Sequence, residues 1–259
     1  MTDAAGAQPT AEQPLRANPE SQPVYSSVHI QERRQRILAE TRRMIAEKGL
    51  DGFSIRTLCR NADVAQRTLY NAFQNKDRLI ALAISEAYEN VNRHMRYRTG
   101  ADTLEGIVDR LISINVRNLK ARNYTKAVVS LYFSPNISED IWTAMRGMAL
   151  RNLRPWLDRM KRESALQPWV NVETAAGDLA NLQYSIINDW TVDRLSDKIY
   201  VPRLIIAVLS YTVGITLGTH REAALAMISE ISMSDALPEF PKPVYDPGDS
   251  FQNGASHHA

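Results

Sequence analysis

The chain has 259 residues, 44% of them hydrophobic and 23% charged, with a net charge of +2, the composition of a globular protein rather than a disordered or fibrous one. Such a length buries a substantial core without staples, and a single cysteine, Cys59, excludes an internal disulfide framework and a cysteine-clustered zinc site. No basic-then-apolar leader opens the sequence, and the longest apolar run, Leu204 to Gly218, falls short of the roughly 20 residues that a membrane span needs.

Residues 1–28 are rich in Ala, Gln, Pro and Ser, carry a charge of −2, and read as a disordered arm. Residues 29–78 hold eleven Lys/Arg against six Asp/Glu, giving +5, while the remainder is −1. A compact basic unit on a nearly neutral body suits attraction to a polyanion. An arginine-rich solvated helix face reads the same way.

Between the ends, apolar residues recur at spacings of three and four, and no alternating stretch is bounded by turn signals. The first helix runs from about Ile30 to Lys48, with Ile37, Leu38, Thr41, Met44 and Ile45 as its apolar stripe. Gly49 stops it as a left-handed cap residue, and Leu50 folds back onto the last turn. Ser54 suits the N-cap of a short helix reaching about Asn61. Ala62-Asp63-Val64 forms a turn, and a third helix covers about Ala65 to Phe73. Asn75 caps a fourth, with Asp77 in the first turn, where the helix dipole favours an anion.

Longer helices follow over Lys76–Tyr97, Thr103–Lys120, Thr125–Phe133, Ser138–Ser164, Val172–Trp190 and Val201–Gly218, with a short one near Arg221–Ile231. Pro135 and Pro168 fall in turns, and Pro202 at a helix start, where a missing N–H costs little. Pro155 lies inside the longest helix, where it kinks or divides it. From about Pro238 four prolines and polar residues, ending in His257-His258, read as a flexible tail. The divisions are 1–28 for the arm, 29–76 and 77–235 for two helical domains, and 236–259 for the tail.

Two short helices joined by a tight turn after a longer amphipathic one make a helix-turn-helix pattern. In that geometry the first of the pair braces across the DNA backbone, and the second offers its N-terminal residues to the major groove. Leu58, Val64 and Leu69 are spaced to fix the crossing. The run from Ile37 to Leu79 resembles the N-terminal domain of the TetR (tetracycline-repressor-like) family. The shared elements are Ala46-Glu47-Lys48-Gly49, Gly52-Phe53, Ser54-Ile55-Arg56, Thr68-Leu69-Tyr70, Phe73 and Asn75-Lys76-Asp77. They cover about a sixth of the chain; the remaining body resembles the family only in length and helical class.

The resemblance implies an all-α protein: an N-terminal three-helix helix-turn-helix DNA-binding domain, then a larger helical ligand-binding and dimerisation domain. Tyr70 matches the family's phosphate-contacting tyrosine, and Lys76 the lysine that grips a phosphate beside free helix N–H groups. Thr68 falls among the groove-facing positions, and Ser54 at the start of the bracing helix is placed to touch backbone. Gln66, Arg67 and Asn71 are candidates for reading bases, since Arg pairs with guanine and Gln or Asn with adenine. Two departures stand out. Arg67 replaces a usually small residue, offering either an added DNA contact or a solvated side chain. Ala65 replaces a hydroxyl cap, a loss of about 1 kcal/mol for the isolated helix. Phe53, Leu58 and Phe73 read as core, and Cys59 as a small buried hydrophobe.

All four tryptophans, Trp142, Trp156, Trp169 and Trp190, lie in the C-terminal part. Tyr132, Trp142, Met145, Met148 and Trp156 are either core or, by the resemblance, walls of an effector pocket. Asn181, Tyr184 and Asn188 share one side of a helix, either a polar stripe orienting a ligand in an apolar cavity or a solvated or interface face. Leu182, Ile186 and Trp190 line another side, with Leu179. Val201–Gly218 is apolar nearly all round and must be buried. Its Ser210, Gly214 and Gly218 form a smooth ridge, and the resemblance implies that late helices pair two subunits. Leu182, Ile186, Trp190, Ser210, Gly214 and Gly218 are therefore candidates for a dimer interface.

The expected function is a homodimeric repressor, cytoplasmic, bound to a pseudo-palindromic double-stranded operator and released by a small-molecule effector. The alternative is a helix-turn-helix regulator controlled by a protein partner. An enzyme is not expected: His29, His94, His220, His257 and His258 lack metal spacing, and no Gly-Lys phosphate loop or Gly-x-Ser-x-Gly turn occurs. Asp189 and Asp193, one turn apart, are the most carboxylate-pair-like feature, and such pairs usually mark a solvated face. No cofactor is expected.

Overall fold

The computed structural model describes residues 24–135, 137–234 and 236–246. Its elements in order are α1 (Val24–Lys48), α2 (Ile55–Asn61), α3 (Gln66–Phe73), α4 (Lys76–His94), β1 (Met95–Arg96), α5 (Leu104–Lys120), α6 (Arg122–Tyr132), α7 (Glu139–Arg162), α8 (Val172–Thr191), α9 (Asp197–Ile215), α10 (Gly218–Ser234) and β2 (Val244–Tyr245). The fold is all-α: a three-helix head with a helix-turn-helix, then a larger helical body. Residues 1–23 and 247–259, which hold most of the expected arm and His257-His258, lie outside the described residues.

Caps place the helix starts. The Thr57 N–H donates to Ser54 Oγ at 3.4 Å, the Arg78 N–H to Asn75 Oδ1 at 2.8 Å, and the Gly106 N–H to Thr103 Oγ1 at 3.0 Å. Each satisfies one of the donors that a helix start leaves without a partner. Ala65 gives α3 no side-chain cap bond, as its methyl group dictates. Gly49, at φ +67°, ends α1 in the left-handed region, its N–H donating to Ile45 O at 2.8 Å. In the helix-turn-helix bend, Asp63 takes φ +52° without being glycine. Asp tolerates that region better than most residues.

Two apolar cores fill the molecule. One begins in the head with Ile37, Leu38, Met44, Ile45, Leu58, Leu69 and Phe73, and continues through Leu79, Ile80 and Ile84 of α4 to Val129, Tyr132, Met145, Met148 and Tyr184. The other packs Leu111, Leu153, Trp156 and Leu157 against Leu179, Trp190, Tyr200, Leu204, Ile205, Val208 and Leu209. Its centre is the stack of Trp190 on Tyr200, with ring centroids 4.4 Å apart.

Several expectations need correction. α1 starts at Val24, so Val24–Val28 are helical rather than part of an arm. α1, at 25 residues, is longer than α7, and α7 passes through Pro155 undivided over its 24 residues. α9 starts at Asp197, putting Pro202 inside the helix instead of at its start. That extra turn is held by Trp190, whose Nε1–H donates to Asp197 Oδ1 at 2.7 Å while its ring stacks on Tyr200. Gly218 is not on α9: the helix ends at Ile215, and Gly218 begins α10 at φ +54°. The stretch expected as a tail from residue 236 contains β2, whose Val244 and Tyr245 pair antiparallel with Arg96 and Met95. A pair of two-residue strands is too short to leave an alternating pattern in the sequence.

Gly49→Ala is expected to lower the unfolding free energy by about 1–2 kcal/mol. No atom would crowd the added methyl group, so the loss comes from backbone conformation alone. Urea denaturation checks it, with Gly147→Ala, an uncrowded helical glycine, shifting the other way.

Candidate DNA interface and ligand cavity

α3 divides cleanly into two faces. Leu69 and Phe73 are fully buried in the core of the head. Gln66, Arg67, Tyr70 and Asn71, at helical spacings of three and four, are exposed together on the opposite side. Thr68 lies half-buried at the edge between the faces. Seven or eight residues of helix supply little stability alone, so the buried pair fixes the orientation of the outward four.

Ser54 and Lys76 come together at the start of α2. Lys76 Nζ donates to Phe53 O at 3.5 Å and lies 5.5 Å from the centroid of the Phe53 ring. A flexible cation is thereby held beside the N-terminus of α2, where N–H groups and the helix dipole also favour an anion. Sequence reasoning passed over Arg56 and Arg60, which are exposed one turn apart on α2. Neither they nor Arg67 forms an ion pair among the described residues. By contrast Arg43 is committed to Glu40 and Glu47, and Arg34 to Glu86. The signal for Arg56 and Arg60 was their i, i+4 spacing on the bracing helix.

Residues 37–83 match the family model for bacterial regulatory proteins of the tetR family. This N-terminal domain belongs to the tetR family. The chain is accordingly a DNA-binding transcription regulator. The tetR-matching span runs from the apolar stripe of α1 into α4, where Leu79 and Ile80 complete the core of the head. In fold, the likeness extends beyond the domain. A TetR transcriptional regulator from Rhodococcus sp. RHA1 superposes with a TM-score of 0.54 at 17% identity, over 70% of this chain and 97% of that one. A protein from Shewanella sp. PV-4 assigned to the tetR family of transcription regulators gives 0.52 at 16%, over 72% and 99%. No curated protein matches the chain.

In the body that follows the tetR domain a cavity of about 330 Å³ opens between the two cores. Five helices line it: α4 with Ile84, Tyr88 and Val91, α5 with Leu111, Asn115 and Arg117, α6 with Tyr124 and Val128, α7 with Met148, and α8 with Gln183 and Tyr184. Of the residues expected at a pocket, only Met148 and Tyr184 are on its wall. Tyr132 and Trp142 are stacked behind it, with ring centroids of Tyr132 and Tyr184 3.9 Å apart and those of Tyr132 and Trp142 6.1 Å apart. Met145 is buried at the same stack, where its carbonyl accepts from the Tyr184 hydroxyl at 2.8 Å. Trp156 is buried in the other core. Asn181 is exposed and accepts from the Tyr132 hydroxyl at 2.5 Å, and Asn188 is half-buried off the wall. The stripe on α8 therefore serves packing more than the cavity.

The wall tyrosines missed in the sequence, Tyr88 and Tyr124, come from helices whose facing partners are distant in sequence. Burial pushes the phenols of Tyr88, Tyr124 and Tyr184 above the ordinary tyrosine range, so all three stay protonated at neutral pH. Elsewhere, Cys59 is half-buried and its thiol is raised by burial. Asp189 pairs with Arg194 and Asp193 with Arg122. No metal-holding cluster occurs among the described residues.

The candidate interface residues also separate. Trp190 is fully buried on Tyr200 and Ile186 is buried in the core, so neither is open to a second subunit. Leu182 is half-buried, while Ser210, Gly214 and Gly218 are exposed.

The two faces of α3 predict opposite responses to truncation. Leu69→Ala is expected to cost about 2–5 kcal/mol of stability by leaving a cavity. Asn71→Ala should stay within about 0.5 kcal/mol, as an exposed side chain without a structural contact does. Chemical denaturation of the two variants measures both.

Proposed function

We propose that this regulator is a homodimeric repressor of the cytoplasm that binds a pseudo-palindromic operator and leaves it when a small molecule fills the cavity. The observation that carries the reading is the outward face of α3: four DNA-competent side chains share one exposed surface above a buried Leu69 and Phe73. We assign residues 29–76 to DNA binding and 77–235 to sensing and dimerisation. Gln66, Arg67 and Asn71 read bases. Ser54, Tyr70 and Lys76 hold phosphates, with Thr68 at the edge of the contact, and Arg56 and Arg60 add charge on α2.

Dimerisation is assigned to α9 and α10. Ile199, Leu217, Leu225 and Met233 are exposed there around the small residues Ser210 and Gly214. Beyond its polar first turn α9 is mostly apolar, and its buried side already packs on α8 and α10. A second copy covering the other side would bring two recognition helices to two half-sites.

The response to ligand is supported by shared walls. α4 and α6 both line the cavity and both pack on α1 of the head. The Asn123 side-chain amide of α6 donates to Ala46 O at 3.3 Å, and Arg42 reaches Ala83 O of α4 at 3.5 Å. A ligand that prefers one arrangement of α4 and α6 shifts the equilibrium between head positions by its difference in affinity.

Mobility-shift titration on DNA selected from a random pool tests the assignment. Tyr70→Phe and Lys76→Ala are expected to weaken binding to all sequences alike, and the loss of the Lys76 charge should also lower the salt slope by about one. Gln66→Ala and Asn71→Ala should instead relax preference at particular bases, each by about 1–3 kcal/mol. Unchanged affinity in the first pair, with an unchanged slope in Lys76→Ala, would overturn the phosphate assignment. Selected sites without two-fold symmetry would overturn the dimer, and no ligand-dependent stabilisation across a metabolite panel would favour control by a protein partner.

A further inference from the structure

A second cavity, of about 290 Å³, adjoins the first, and α4, α5 and α7 contribute to both. Asn152 is on both walls, and its amide donates to the Tyr88 hydroxyl at 3.1 Å. Elsewhere the two linings use neighbouring residues, Val91 and Asn92 on α4 and Leu111 and Arg110 on α5. Their chemistry differs. The first wall is mostly aliphatic, with Ile84, Val91, Leu111, Ile114, Val128 and Ile187, and Arg117 is its one charged side chain among the described residues. The second carries Arg93, Arg110 and Arg151 against Glu89.

The cations differ in how far they are committed. Arg151 is paired with Glu89. Arg110 donates to Gly106 O at 2.7 Å and Thr99 O at 3.3 Å, and lies 4.5 Å from the centroid of the Tyr97 ring. Asp109 acts on Arg110 through its charge, and its oxygens accept from the Thr99 hydroxyl at 2.7 Å and the Ser113 hydroxyl at 3.4 Å. Arg93 and Arg117 have no ion pair among the described residues. Arg117 follows Arg110 by two turns of α5, and its charge acts on the Tyr97 phenol of the second wall. It therefore stands where the apolar cavity meets the arginine-lined one.

We propose that the two cavities form one site for an amphipathic organic acid. Its apolar body fills the larger cavity, and its single carboxylate meets Arg117 at the join, with Arg93 beyond. This rests on reading the larger cavity as the effector site. A cleft with charge of one sign and apolar walls concentrates the opposite charge. Four arginines against one glutamate across the two walls supply that sign. The two oxygens of a carboxylate match the paired N–H groups of a guanidinium. An uncharged ligand would leave the surplus cations unmatched, and a cationic one would be repelled by them. Since α4 lines both cavities and packs on α1, the acid would engage the helix that supports the head.

Calorimetry on the full chain with decanoate, 1-decanol and decyltrimethylammonium, which share one alkyl tail, tests the assignment. The wild type is expected to bind decanoate at least about tenfold more tightly than decanol, the value of one charge-assisted hydrogen bond, and the ammonium most weakly. Arg117→Gln should remove most of that preference while leaving decanol affinity unchanged, and Arg117→Lys should keep part of it. Glu89→Gln, which frees Arg151, should tighten decanoate further. A tenfold preference that survives Arg117→Gln, decanol or the ammonium binding as tightly as decanoate, or no binding of any probe would each overturn the proposal. Release of selected DNA is scored separately by mobility shift. Decanoate that binds through Arg117 without releasing DNA would sink the effector reading and leave the site standing.

Discussion

The rest of the structure depends on how α4 spends its apolar side chains. Leu79 and Ile80 close the core beneath α1, α2 and α3, while Ile84, less than two turns later, lines the cavity of the body. A head of one long and two short helices has too little interior to be stable alone, since small domains bury a small share of their surface. Borrowing from α4 solves that problem, and it makes the head and the cavity wall parts of one packed unit. Close packing transmits displacement instead of absorbing it. Stability of the head and its sensitivity to the body thus have the same origin.

Electrostatics follow the same division. The acidic partners in the head are placed on α1 and α4, where Glu40, Glu47 and Glu86 hold Arg43 and Arg34 against the protein. α2 and α3 contribute Arg56, Arg60 and Arg67, with Asp63 the one acidic residue between Arg56 and Arg67. The surplus of cations is therefore concentrated on the two helices that a helix-turn-helix presents to DNA. A net charge of +2 for the whole chain conceals this, because the body nearly cancels it.

Much of the fold was legible in the sequence where structure is local. Ser54 and Asn75 mark helix starts because their side chains bond the N–H three residues ahead, and Gly49 marks an end because its φ suits no other residue as well. The tetR-like spacing of Thr68-Leu69-Tyr70 before Asn75-Lys76-Asp77 likewise sits within a single helix and its turn. What escaped depends on partners far along the chain. The early start of α9 needs Trp190 to receive Asp197 and Tyr200, and an apolar run cannot announce that its first turn is polar. The cavity wall gathers Tyr88, Asn115, Tyr124 and Gln183 from four helices, each reading as ordinary amphipathic sequence. Trp156 and Trp190 drew attention as large aromatics but went to the core, which is the commoner fate of such side chains.

The small antiparallel pair between β1 and β2 has a consequence for how the chain assembles. Joining Met95 to Tyr245 closes a loop of about 150 residues, whereas the contacts of the head span a few tens. Contacts distant in sequence form slowly because chain entropy is lost before they repay it. The helix-turn-helix head can therefore condense early on the first turns of α4, and the helical body is sealed last, when the final strand returns to the far end of that helix.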